Sequence, residues 1–172
     1  MAETERTWAA LQALLADNTI EAISPRDLRD AIVSCLGGYA SIYVDAGVTA
    51  QAFIGTPVKA SCFASVGPMR GAVGDATADN ITIGVAGDYL VQLELDGLVL
   101  AASVFDVSVF KNGAVLPGLT RRVALSDTDA RAVCVVGFAT LAAGDVIDVR
   151  LSCAPSTSAT VRNAQLSVKR IG

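Results

Sequence analysis

From about residue 80 onward, apolar and polar residues alternate in short runs broken by glycine, asparagine and aspartate. In Tyr89–Leu95 the apolar set Tyr89, Val91, Leu93 and Leu95 recurs at every second position, the repeat of a strand with one buried face. The same period predicts strands at Ile81–Val85, Ser103–Phe110, Ala132–Leu141, Val146–Cys153 and Leu166–Ile171. The punctuation fits. Ala78-Asp79-Asn80 precedes a strand, Gly87-Asp88 turns into the next, and Gly144-Asp145 repeats that turn. Lys111-Asn112-Gly113 predicts a hairpin, because Asn-Gly tolerates the positive φ angles of a two-residue turn. Gly71-Ala72-Val73-Gly74-Asp75 reads as a flexible loop. Six short strands at this spacing predict an all-β sandwich.

The first 50 residues carry a different period. Trp8, Leu11, Leu14 and Leu15 fall on one face of a helix over Glu5–Ala16, with Asn18 as its stop. A second helix is predicted from Ser24-Pro25-Arg26-Asp27. Ser24 suits the N-cap, Pro25 the first turn where no N–H is needed, and Asp27 the positive end of the helix. Leu28, Ile32, Cys35 and Leu36 form its apolar stripe, and Gly37-Gly38 ends it. Helices this short need something to pack on. Tyr39–Ala50 reads as a connecting strand or linker. The expected organisation is therefore a helical docking segment with linker over residues 1–50 and a β-sandwich over residues 51–172.

Composition turns attention to assembly. Hydrophobic residues make up 52% of the chain and charged residues 17%, against about 25% in an average soluble domain. Mean hydropathy is +0.51. The uncharged run Ala132–Gly144 is too short for a helical membrane span, and with 5% aromatic residues no aromatic girdle of an outer-membrane barrel is seen. The expectation is no membrane insertion, with the excess apolar surface covered by partner subunits. Net charge is −4, and the only adjacent basic pairs are Arg121-Arg122 and Lys169-Arg170, so nucleic acid is not an expected partner. No leader-type apolar run follows the acidic Met1-Ala2-Glu3-Thr4-Glu5, which points to assembly in a cytoplasm.

Candidate chemistry is sparse. With no histidine, neither a Ser-His-Asp nor a Cys-His arrangement can form within the chain. Cys35, Cys62, Cys134 and Cys153 lack metal-site spacing and read as small buried hydrophobes, with a Cys134–Cys153 disulfide left open. Asp145 with Asp148, and Asp127 with Asp129, are the carboxylate pairs to consider. The second pair is also a hard-cation candidate, but solvated turns explain both more simply. Neither a cofactor nor a metal is expected. Trp8 reads equally as an anchor in a partner's pocket or as cover for the chain's own second helix.

The run from Asn80 to Ile171 resembles a C1q/TNF-type jelly roll. The resemblance is carried by Ile81-Thr82-Ile83, Gly87-Asp88-Tyr89, Val107-Ser108-Val109-Phe110-Lys111-Asn112-Gly113, Val133–Thr140, Leu141-Ala142-Ala143-Gly144-Asp145-Val146-Ile147 and Leu166–Ile171. The head, from Trp8-Ala9-Ala10-Leu11 through Ile23–Ile32 to Gly37–Val44, resembles short N-terminal segments of tailed-phage virion proteins. The first resemblance implies a homotrimer with one sheet of each sandwich against the threefold axis. Carried onto this chain, that sheet includes Tyr89–Leu95, Ala132–Thr140 and Leu166–Ile171, and the implied interface is Tyr89, Val91, Leu93, Val135, Leu166 and Val168. The second implies docking onto major capsid or tail proteins through Trp8, Leu11, Leu15, Leu28, Ile32 and Leu36.

Together these imply a bacteriophage virion structural protein with no enzymatic activity: a trimeric capsid decoration or cement protein, or a spike knob, held by its N-terminal helices. A tail-fibre tip binding a host-surface receptor or glycan is the first alternative. A carboxylate-dependent depolymerase is the second.

Overall fold

The computed structural model describes residues 37–99, 102–125 and 131–171. The two expected helices, with Trp8, Leu11, Leu15, Leu28, Ile32 and Leu36, lie outside the described residues, as do Asp127 and Asp129.

The described chain is a two-sheet sandwich of twelve strands. They are β1 (Tyr39–Val44), β2 (Ala50–Phe53), β3 (Val58–Lys59), β4 (Ser65–Val66), β5 (Ala72–Asp75), β6 (Asn80–Ile83), β7 (Gly87–Val99), β8 (Ser103–Lys111), β9 (Ala114–Leu125), β10 (Arg131–Leu141), β11 (Val146–Ala154) and β12 (Thr157–Arg170). The first sheet runs β10-β7-β12-β1-β4, with β2 also on β12. The second runs β5-β6-β11-β8-β9, with β3 also on β11. All the pairings are antiparallel. Each strand's alternate apolar side chains point between the sheets, where Tyr89, Phe53, Phe105, Ile42, Leu93 and Leu166 are among the largest fully buried groups.

Two expectations about boundaries are corrected. The sandwich begins at β1, because Tyr39–Val44 pairs along its full length with β12 and buries Ala40, Ile42 and Val44. The linker assignment and a domain start at residue 51 are therefore too late. Likewise Ala72–Asp75 is a strand and not a loop. Its Gly74 is required by packing, since a Cβ there would lie 2.8 Å from Cγ2 of Ile42.

At one end of the sandwich the two turn motifs clamp each other. Asn112 and Gly113 both have positive φ, at 51° and 82°, as the Asn-Gly hairpin requires. The Asn112 amide donates to Asp145 Oδ1 at 2.7 Å, and the Val146 amide donates to Asn112 Oδ1 at 2.8 Å. Asp145 Oδ2 accepts the Ala142 amide at 2.8 Å, and Lys111 Nζ lies 3.7 Å from it. The β8–β9 and β10–β11 connections are thus tied by one buried carboxylate. At this end, too, the Arg170 amide donates to the Gly38 carbonyl at 2.6 Å, so the start of β1 and the end of β12 lie together.

Candidate functional site

The two outer faces of the sandwich differ in how far they satisfy themselves. On the second sheet, Arg150 stacks over the Phe110 ring at 4.6 Å and donates to both carboxylate oxygens of Asp148 at 2.9 and 3.1 Å. The hydrogen bonds to Asp148 push the Arg150 guanidinium above its ordinary range. Arg122 pairs with Asp106 at 3.2 Å, and Ser108 shares a hydrogen bond with Thr120 at 2.9 Å. Asp145 and Asp148 therefore have separate partners, in the turn clamp and under Arg150.

The first sheet's outer face is built in rows by its register. One row runs Phe138–Leu90–Lys169–Tyr39, the next Val136–Gln92–Ser167–Ser41, and the third Cys134–Glu94–Gln165–Tyr43. The first row ends on apolar side chains: Phe138 is 71% exposed and Val136, in the row beside it, 49%. Two shallow depressions lie on this face. One, of about 310 Å³, is lined by Tyr39, Leu90, Lys169 and Pro68 among others. The other, of about 580 Å³, is lined by Tyr43, Gln165, Cys134 and three carboxylates, Asp45, Glu94 and Asp96. Glu94 accepts from Gln92 at 2.7 Å, and Asp96 Oδ2 accepts from Asn163 at 3.1 Å. Asp96 Oδ1 has no hydrogen-bond partner among the described residues.

The residues expected at the trimer interface lie elsewhere. Tyr89, Val91, Leu93, Val135, Leu166 and Val168 are all 3% exposed or less within one chain, in the core between the sheets. Tyr89 also donates its hydroxyl to the Val85 carbonyl at 2.7 Å, as a core tyrosine does. The apolar face of each of these strands is consumed by the chain's own sandwich. The positions available to a partner are the alternate ones: Leu90, Gln92, Glu94, Cys134, Val136, Phe138, Gln165 and Lys169. The sequence did carry a signal for them. Val133–Phe138 is apolar at consecutive positions, the mark of a strand covered on both faces.

The cysteines are separated in the same way. Cys134 is exposed on the outer face. Cys153 is buried in the other sheet, where its Sγ donates to the Phe53 carbonyl at 3.1 Å, and both are free thiols. Burial, and then the Asp79 carboxylate, push the Cys62 thiol up to about 12. Of Cys62, Cys134 and Cys153, only Cys134 is expected to alkylate in the native protein at pH 8. Peptide mapping by mass spectrometry checks this, and equal labelling of all three would contradict the placement.

No protein-family model matches the sequence, and no curated protein matches it. Solved structures do match the sandwich. Eiger TNF from S. frugiperda aligns with a TM-score of 0.58 at 11% identity, covering 78% of this chain and 94% of that one. The fold is a TNF/C1q-type jelly roll. The globular domain of zebrafish complement 1qA protein aligns with a TM-score of 0.57 at 14% identity, over 78% of this chain and 98% of its own. Murine APRIL at pH 5.0 gives 0.57 and 14%, over 78% and 99%. In this jelly roll the outer face of the β10-β7-β12-β1 sheet carries an exposed apolar border on β10, Val136 and Phe138.

Proposed function

We propose that this chain is a structural protein of a bacteriophage virion, a trimeric jelly-roll knob that decorates or cements the capsid or forms a spike, attached through its N-terminal segment. The exposed apolar border of the first sheet, Val136 and Phe138 beside Leu90, carries the assembly part of this reading. A surface of this kind on a chain with 17% charged residues favours burial against a second copy. The jelly-roll fold supports a trimer, the arrangement its resemblance implies. The virion part rests on the N-terminal resemblance. Gly38 and Arg170 meet at one end of the sandwich, which is where the chain enters it.

The function is binding and assembly, with no reaction. Three linked copies would add avidity to modest contacts. Leu28→Asp, in the docking stripe, is expected to leave a folded trimer that fails to join particles. Normal incorporation of this variant would refute the anchor. Electron microscopy of virions, labelled with a gold-tagged antibody against residues 51–172, separates the locations. Label over the head means decoration or cement. Label on the tail means a fibre tip facing a host receptor or glycan. Virions without label would refute the virion reading.

A further inference from the structure

We infer that the segment preceding the sandwich is a latch: in the free chain the apolar stripe Leu28, Ile32 and Leu36 lies across the outer face of the first sheet, over the row Tyr39–Lys169–Leu90–Phe138. The assembly proposed above gives the stripe to a particle and the row to a second copy. In the free chain each covers the other until those partners arrive. The latch belongs to the single chain and does not require the virion reading.

Stripe and row meet because of where the chain enters the sandwich. The stripe lies outside the described residues, and the first described residue, Gly37, has a φ of 67°. That is the left-handed conformation of a glycine that closes a helix, and it directly follows Leu36, the last residue of the expected stripe. Gly38 is then held in place. Its carbonyl accepts the Arg170 amide at 2.6 Å, and a Cβ on it would lie 3.2 Å from the Tyr89 hydroxyl and 3.3 Å from the Arg70 carbonyl. Tyr39 and Arg70 exchange backbone hydrogen bonds at 2.7 Å. The short link from Leu36 to Tyr39 therefore keeps Leu36 within about 11 Å of the β1 end of the row. The inward face of these strands is filled by the core, so the outer face is the one open to the stripe.

The lengths agree. The row crosses β1, β12, β7 and β10, about 14 Å from end to end. From Leu28 to Leu36 a helix rises about 12 Å. With Leu36 over Tyr39, Ile32 reaches Lys169 and Leu90, and Leu28 reaches Phe138. The chemistry agrees too. Phe138 is 71% exposed and Tyr39 40%, and Leu90 lines the hollow of about 310 Å³ with Pro68. Lys169 can lay its stem beneath a helix and keep its ammonium in water. The Cys134–Glu94–Gln165–Tyr43 row is about 13 Å further along the strands, outside the footprint of one helix, so Cys134 stays open to alkylation. Tethering decides the occupant. A stripe joined to the row by so short a link meets it at an effective concentration in the millimolar range, and a second copy at micromolar concentration has to displace it.

The test is a cysteine pair, Leu28→Cys with Phe138→Cys, in the full chain carrying Cys35→Ser and Cys134→Ser, with circular dichroism to show that it folds. On mild oxidation at micromolar protein the disulfide is expected to close within one chain, at the 17.6 kDa mass on a non-reducing gel. It should form at least tenfold faster than in a control pairing Leu28→Cys with Arg122→Cys, an exposed position on the other sheet. A disulfide that joins two chains would give the row to a second copy and overturn the latch, leaving the assembly reading in place. Closure no faster than the control would overturn it outright. Hydroxyl-radical footprinting needs no cysteines. At a dilution where wild type and Leu28→Asp both run at single-chain mass, oxidation of the Phe138 ring is expected to rise at least threefold in the variant. An unchanged rate would overturn the latch. Both readouts use the free chain, so neither depends on where virions are labelled.

Discussion

Leu166→Ala is expected to destabilise the fold by about 3–5 kcal/mol, because it opens a cavity in a close-packed core. Leu166 is fully buried and pairs with Leu93 on β7 and Ile42 on β1, at the middle of the first sheet. The surrounding strands are fixed by hydrogen bonds on both sides, so the site has little room to collapse. For a chain of this size the loss should appear as a fall of roughly 10 °C in melting temperature. The same substitution should leave the oligomeric state of the folded protein unchanged, since Leu166 reaches no outer surface. This pairing of outcomes separates a core residue from an interface residue. A small thermal effect with loss of assembly would return Leu166 to the interface that the sequence first suggested.

Asp145→Asn is the second large expectation, at about 2–3 kcal/mol, since it removes charge-assisted hydrogen bonds from a buried site. The carboxylate accepts the Ala142 amide and the Asn112 side chain, and its residue is only 8% exposed. Asparagine has the same shape but carries an NH₂ group, which would face one of those donors. The pH dependence gives a second reading. The Ala142 amide, then Asn112 and Lys111, hold the Asp145 carboxyl below the ordinary aspartate range against the opposing effect of burial. The folded protein therefore binds this proton less tightly than the unfolded chain. The stabilisation is complete above the unfolded value, about pH 4, and is lost as pH falls through the folded one. Urea melts at pH 7 and at pH 3 should show the gap between wild type and Asp145→Asn narrowing at the lower pH. A gap that widens on acidification would refute the role given to the carboxylate.

Much of the sandwich was legible because its central strands follow a simple period. Tyr89–Leu95, Val146–Cys153 and the Asn112-Gly113 hairpin sit where alternation and turn chemistry place them. What stayed hidden was hidden for physical reasons. Strand β9 contains Pro117, Gly118 and the Arg121-Arg122 pair, so no apolar period marks it, yet edge strands tolerate such residues. The first half of β12, Thr157–Asn163, is rich in Ser and Thr and is held by partners on both sides, β7 and β2. Strand β5 looked like a loop because of Gly74, which is there to let Ile42 approach. The burial of Leu93 and Val135 within the chain's own core was hidden for a different reason. Apolar periodicity finds the face that a strand buries, but it does not say whether the cover is another chain or the chain's own second sheet. Register across β10, β7, β12 and β1 settles that, and it moves attention from Leu93 and Val135 to Phe138, Leu90 and Glu94.

The neighbouring ends of β1 and β12 also set how the jelly roll carries load. The two strands are antiparallel, from Tyr39 opposite Lys169 to Val44 opposite Ala164, and they leave the sandwich side by side. Tension applied between chain preceding Gly37 and chain following Arg170 would peel β1 from β12 one hydrogen bond at a time, beginning where the Arg170 amide meets Gly38. Tension between that end and the loops at the far end acts along the strands. All six β1–β12 register pairs then resist together in shear, and β1 must slide as a unit past a sheet that buries Ala40, Ile42 and Val44. A knob held at this end and pulled at its tip is thus loaded along its mechanically strong axis.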